Sequence, residues 1–348
     1  MRSDYLTLSV KKRNVSIDIL RFVALMGVIM AHCAPSELWM QIRNFDVPLM
    51  VILSAVSYTM ANQAKSDSWF SYCYKRIKRL VFPVWIFLTV YFIILLFKEK
   101  AALPLSTYIS SYSLLWGIGY VWIIRVFCVV AIFAPLHCWF CNNLSSGIAF
   151  WLVMFLLFFF NECIIDLLQE RIDASIIVKQ CFVTLPYLLV FMVGLRISSA
   201  DKKEILMLAI IFSILFLALS VVFSFQSMDF VSTQLYKYPP QLYYLSYALA
   251  VSLFLFLIKD RAASFVYKIS QRLGNATCWV GQHTLWIYLW HILFVTFSEE
   301  MQSSVCRFFY VLVSAIVCTY LQCLVLKVLY PYIKNPSLKK NLQILFEG

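Results

Sequence analysis

Apolar runs of about twenty residues follow one another along nearly the whole chain, and they constrain this sequence more than anything else in it. A run of that length with few charges reads as a helix that crosses a bilayer. About ten such transmembrane helices are expected: Ser16 to Ala34, Asp46 to Asn62, Leu80 to Phe97, Ile118 to Cys138, Gly147 to Asp166, Gln180 to Leu195, Glu204 to Phe225, Pro240 to Ile258, Ala276 to Phe297 and Ser303 to Leu326. The expected fold class is therefore all-α, a polytopic integral membrane protein. With 62% of residues hydrophobic and 13% charged, the chain does not fit a soluble domain. A net charge of +12 would suit a nucleic-acid partner if the cations clustered on a polar surface. They sit instead in short loops between apolar runs, the pattern that sets membrane orientation, so no nucleic acid is expected.

Counting Lys and Arg gives the orientation. With the N- and C-termini cytoplasmic, the inner segments hold about twenty of them, among them Arg2, Lys11, Lys12, Arg13, Lys65 and Lys75 to Arg79. The outer segments hold about seven, including Arg43, Lys98, Lys237 and Arg307. That is the sense the positive-inside rule requires. The first run is read as a retained span, because no small-residue cleavage site follows it. The uncharged inner turn Trp139 to Ser146 is the least supported connection. The eleven cysteines lie mostly in apolar runs and make no disulfide framework. No span-scale repeat is evident, which disfavours an inverted-repeat transporter. The chain divides into one transmembrane domain, residues 1–335, and a short cytoplasmic tail, 336–348.

Ionisable groups inside spans carry the chemistry, because burying one is costly unless it is solvated or paired. His32 lies fourteen residues beyond Asp18, roughly 21 Å along a helix. Its unperturbed pKa near 6.5 suits a general base. It reads equally as a helix-end histidine meeting interfacial water. His291 falls at a matching depth in the ninth run, where the two imidazoles line one cavity or both sit at the outer interface. His283, nearer mid-membrane, is a pocket residue or a helix-to-helix hydrogen bond, with the second favoured. His137 is placed at the inner interface.

Asp18 and Arg21 share one helical turn at the inner face, where they pair with each other or with the basic segment Tyr74 to Pro83. That segment's Lys75, Arg76, Lys78 and Arg79 suit either lipid headgroups or the phosphates of a cytosolic coenzyme. No Gly-rich phosphate loop accompanies them. Arg125, deep in the fourth run, should face a cavity or a partner. The single CxxC of Cys138 and Cys141 is too little for a metal site, and no metal is expected. The aromatic stretch Tyr236 to Tyr247 reads as an interfacial belt or a sugar-stacking surface.

The order of IDILRFVALMGVIMAH, NFDVPLMVILSAVSYTMA and YCYKRIKRLVFPVW resembles the membrane-bound acyltransferase-3 family, whose members include bacterial O-antigen and exopolysaccharide O-acetyltransferases. Asp18, Arg21 and His32 match its first-helix acid, arginine and histidine, and Lys75, Arg76, Lys78 and Arg79 match its basic segment. VWIIRVFCVVAIFAP, with Trp122, resembles its Trp-centred fourth-helix motif. Gly281, Thr284, Tyr288 and His291 resemble its closing signature. Two positions depart from the pattern. Ser54-Ala55 stands where Ser-Gly is usual, which puts close packing of the second helix in question. His283 stands where another polar residue is more common.

The resemblance implies a stand-alone O-acyltransferase without an appended esterase-like domain, in the bacterial inner (plasma) membrane. It would move an acetyl group from cytoplasmic acetyl-CoA, its co-substrate, to a hydroxyl of a cell-surface polysaccharide or lipid-linked glycan. The implied catalytic residues are His32, as general base for the acceptor hydroxyl or as transient acyl carrier, and His291. Asp18, Arg21, Lys75, Arg76 and Arg79 would bind the coenzyme, and Arg125, Trp122, Tyr288 and His283 would face substrate. Membrane lipids are the other expected partners, and the oligomeric state stays open. The alternative class is a transporter or flippase of a lipid-linked glycan.

Overall fold

The computed structural model describes residues 14–62, 68–100, 102–144 and 146–347. The inner cations Arg2, Lys11, Lys12, Arg13 and Lys65 lie outside the described residues. In chain order the helices are α1 (Val15–Ala31), α2 (Glu37–Ile42), α3 (Asp46–Asn62), α4 (Trp69–Glu99), α5 (Leu105–Tyr112), α6 (Trp122–Asn143), α7 (Gly147–Ala174), α8 (Ile176–Thr184), α9 (Pro186–Ile197), α10 (Lys202–Ser227), α11 (Leu242–Ile269), α12 (Gln271–Gln282), α13 (Thr284–Phe297), α14 (Ser304–Leu329) and α15 (Pro336–Phe346). The protein is all-α among the described residues. Eight of its helical stretches are long and apolar enough to cross a membrane. The first expected span is α1, at 17 residues, and the ninth is the broken pair α12 and α13.

Local sequence explains where these helices start. Asn14 caps α1 by accepting from the Ser16 and Ile17 amides, and Asp201 caps α10 by accepting from the Glu204 amide at 2.7 Å. Asn335 caps α15, with Pro336 at its first position, where a missing N–H costs nothing.

Burial sorts the helices into layers. In α10 only 22% of the apolar window is buried by protein, against 61% for the stretch containing α3 and 56% for α11. The peripheral helices therefore turn apolar side chains to lipid, and α3 and α11 form the interior. There α1 packs against α3, α11, α12 and α13. The close approach put in question by Ala55 is present, because its partner helix supplies the small residue. A Cβ added at Gly194 of α9 would lie 2.7 Å from that of Ala55.

Four expected boundaries are corrected. The basic segment is not a loop before the third span: α4 begins at Trp69 and runs through Pro83, so Lys75, Arg76, Lys78 and Arg79 lie on its first turns. The fourth span begins at Trp122 instead of Ile118, because residues 113–121 form a loop with left-handed backbone at Leu114, Gly117 and Gly119. The sixth span breaks at Leu185, between α8 and α9, and the ninth breaks at His283. The tail is also ordered: α15 folds back against α4.

Candidate functional site

An internal cavity of about 330 Å³ opens at the end of the bundle where α1, α4 and α15 meet. Its charged lining is Arg21 from α1, Arg76 and Arg79 from α4, and Glu347 just past α15. Asp18 lies behind Arg21 and pairs with it at 2.9 Å. Of the two arrangements open from sequence, the structure shows the pair within α1. Arg21 is further held by donation to the Ser57 hydroxyl at 2.7 Å, and Asp18 accepts from the Gln282 amide at 3.2 Å. The Arg76 guanidinium lies over the Tyr72 ring, 5.4 Å from its centre. Lys75 is exposed and off the cavity wall, and Lys78 donates to Asn341 of α15 at 2.9 Å. Three arginines of the expected cluster thus converge on one cavity, and Asp18 and Lys75 do not line it.

The far wall is built by the break between α12 and α13. His283 lies at the break, stacked on Trp279 with ring centres 4.3 Å apart, and its Nδ1–H donates to the Trp279 carbonyl at 2.8 Å. It lines the cavity, as the pocket reading expects. Thr284 and Tyr288 follow on the same wall. Beyond Tyr288 lie the two imidazoles. The Tyr288 ring stands 4.8 Å from His291, and His291 stands 5.3 Å from His32. His291 is fully buried, and His32, the cap residue of α1, is half-buried. The His291 Nδ1–H donates to the Tyr288 carbonyl, which leaves the Nε2 lone pair free of any partner among the described residues. Two imidazoles from opposite ends of the sequence therefore meet, with an arginine-mouthed cavity ending one ring away.

A family model described as an acyltransferase domain matches residues 14–328, from the cap of α1 to the last turn of α14. The chain belongs to the acyltransferase-3 family. Comparison with curated proteins and with solved structures found no match. The matched region of this multi-pass membrane acyltransferase contains every cavity-lining residue except Glu347.

The remaining candidates of the acyltransferase fall outside the cavity. Arg125 donates to the Thr184 hydroxyl at 3.0 Å, to Gln180, and to the carbonyls of Leu114, at 2.9 Å, and Leu115. It thus meets partners and not a cavity, and it ties the loop 113–121 to α8. Trp122 packs edge-on against Tyr238, with ring centres 5.4 Å apart. The half-buried His137 ring lies 6.2 Å from Phe133 and 6.1 Å from Phe191. Within the aromatic stretch Tyr243 and Tyr244 are fully buried and Tyr238 is exposed, so only part of it presents a surface. Among the described residues, no three His, Cys, Asp or Glu side chains converge as a metal would require.

Sequence reasoning missed a buried ion network beside the imidazoles. Asp46 pairs with Arg43 at 2.9 Å and with Lys237 at 3.6 Å, and all three are buried. By sequence Arg43 and Lys237 are ordinary outer-loop cations, yet both lie within electrostatic range of His32. Burial pushes the Lys237 ammonium down to about 8, and the Asp46 carboxylate opposes that shift. The i,i+3 spacing of Arg43 and Asp46 was a legible signal. Nothing in the sequence marks Lys237.

Proposed function

We propose that this acyltransferase moves an acetyl group from cytoplasmic acetyl-CoA to a sugar hydroxyl of a cell-surface polysaccharide or its lipid-linked precursor, in a bacterial inner membrane. One observation carries the reading: the cavity is lined by Arg21, Arg76 and Arg79 and by Tyr288, whose ring contacts His291, which in turn contacts His32. Guanidinium groups match phosphate oxygens in pairs, so the mouth suits the coenzyme's phosphates. A cavity of about 330 Å³ suits the narrow pantetheine arm and leaves the nucleotide at the mouth.

His32 serves as the general base. The acceptor oxygen bonds to the thioester carbonyl carbon as its proton passes to the His32 ring. The C–S bond then breaks, sulfur takes the electron pair, and the imidazolium returns the proton to give the free thiol. His291, held in one tautomer by the Tyr288 carbonyl, orients and buttresses His32.

The test uses purified protein and acetyl-CoA labelled in its acetyl group, with a lipid-linked glycan pool. Wild type should transfer label to glycan. The His32→Ala variant should lose transfer by at least about 100-fold, the lower range for removing a general base, while staying folded in the membrane. Transfer at the wild-type rate by the variant would sink the assignment.

A further inference from the structure

Among the described residues, the His32 side chain makes no hydrogen bond and meets two rings. His291 stands 5.3 Å away, and Tyr120 meets it edge to face at 4.8 Å. His32 is also the cap residue of α1, beyond the last full turn. The direction of its imidazole therefore depends on its two ring neighbours. His291 is held inside α13 by the Tyr288 carbonyl. Tyr120 has no helix of its own and is carried by the loop 113–121.

Irregular backbone packed among membrane helices lasts only where protein satisfies its polar groups. This loop also takes left-handed backbone at Leu114, φ 59°, which is costly for a residue other than glycine unless its surroundings hold it. Three helices do so. Arg125 of α6 donates to the Leu114 carbonyl at 2.9 Å and to the Leu115 carbonyl, and is anchored on α8 by Gln180 and by the Thr184 hydroxyl at 3.0 Å. The Ile118 amide donates to the Ser111 hydroxyl of α5 at 3.1 Å, with Gly117 beside it because a Cβ there would collide with that hydroxyl. The Tyr288 hydroxyl of α13 donates to the Tyr120 carbonyl. The Tyr120 ring is then the part of the loop that reaches His32.

We propose that Arg125 is a positioning residue for His32: it seats the loop 113–121, and the loop sets Tyr120 against the imidazole and fixes its direction. The proposal rests on the acyl-transfer reading above, in which His32 is the base. A misdirected base slows proton transfer. Donor binding is spared, because no residue of the loop lines the arginine-mouthed cavity. The guanidinium is required because its fork reaches the two carbonyls and α8 together, whereas a lysine would offer a single point of donors.

The experiment uses the full chain in lipid nanodiscs and two readouts. One is label transfer from acetyl-CoA to a lipid-linked glycan pool at saturating acetyl-CoA. The other is the rate at which diethyl pyrocarbonate carbethoxylates His32, read by peptide mass spectrometry, which needs neither donor nor acceptor. Arg125→Gln and Tyr120→Ala should each slow transfer about tenfold and leave the acetyl-CoA Kd within about twofold. The double variant should also lose about tenfold, because the two residues act through one contact. Arg125→Lys should recover part of the loss, to about threefold below wild type. Both single variants should raise the His32 carbethoxylation rate at least about threefold, with His283 within about twofold of wild type as the internal control. An unchanged transfer rate in Arg125→Gln, a hundredfold loss in the double variant, or an equal rise at His283 would overturn the positioning role. A wild type that transfers no label overturns the acyl-transfer reading, and the His32 carbethoxylation rates then decide by themselves whether Arg125 sets that ring.

Discussion

Asp46 answers two buried cations with one carboxylate, so the cluster of Arg43, Asp46 and Lys237 carries an excess positive charge next to His32. Burial makes the ammonium form of Lys237 costly, and its pKa falls from the usual lysine value to about 8. The sign of the pH effect follows. Between about 8 and the usual lysine range the unfolded chain holds a proton that the folded chain has released, so stability rises with pH across that window. The melting temperature of wild type in detergent should therefore rise from pH 8 to 10 relative to Lys237→Met, which lacks the titrating group. Parallel curves for the two proteins would show that Lys237 is not held in this way. Arg125 shows how residue type alone misleads. A lone arginine in an apolar run signals a substrate group or a structural clamp with equal force, and here its donors are spent on the Leu114 and Leu115 carbonyls, Gln180 and Thr184.

The element that shapes the cavity is the broken pair α12 and α13. The break at His283 turns Gly281 and Gln282 onto α1 and opens space for the cavity. Gly281 is needed there because a Cβ would overlap the Asp18 carbonyl oxygen. Gly281→Ala should push α12 off α1, break the contact of Gln282 with Asp18, and cost about 1–3 kcal/mol, the usual range for overpacking. Thermal unfolding in detergent, read together with acetyl-CoA affinity, checks this. A variant as stable as wild type with unchanged affinity would mean the two helices separate freely. At the opposite wall, α15 is pinned by Phe346 stacked on Trp286, 5.6 Å between rings, and by the Trp286 indole donating to the Leu345 carbonyl. That docking brings Glu347 to a mouth otherwise lined by arginines.

Across the whole molecule the bundle has two polar ends. The mouth carries Arg21, Arg76 and Arg79, and the other end carries the Asp46 network and, just past α13, the exposed Glu299. The 31 residues of α4 connect them, about 46 Å at helical rise, enough to cross the membrane and reach both interfaces. Single cysteines should confirm the sidedness once the exposed native Cys163, Cys181 and Cys306 are replaced. In sealed cells expressing the protein, a membrane-impermeant maleimide should label only one of Glu299→Cys and Lys75→Cys before permeabilisation. Labelling of both before permeabilisation would contradict a bundle that separates the two ends.

From sequence alone came the fold class, the approximate spans, the pairing of an inner charged group with His32 on one helix, and the cluster holding Arg76 and Arg79. These are legible because apolar length and helical rise are local properties, readable one segment at a time. What only the tertiary structure decided depends on contacts between distant segments. That His32 and His291 touch, that three of the cations face one cavity while Lys75 does not, and that Lys237 joins Asp46 across some 190 positions are facts of packing. Breaks in apolar runs were hidden for the same reason. Hydrophobicity reports that a segment is buried in lipid or protein, but a break such as that at His283 is stabilised by the neighbours that satisfy its freed backbone groups.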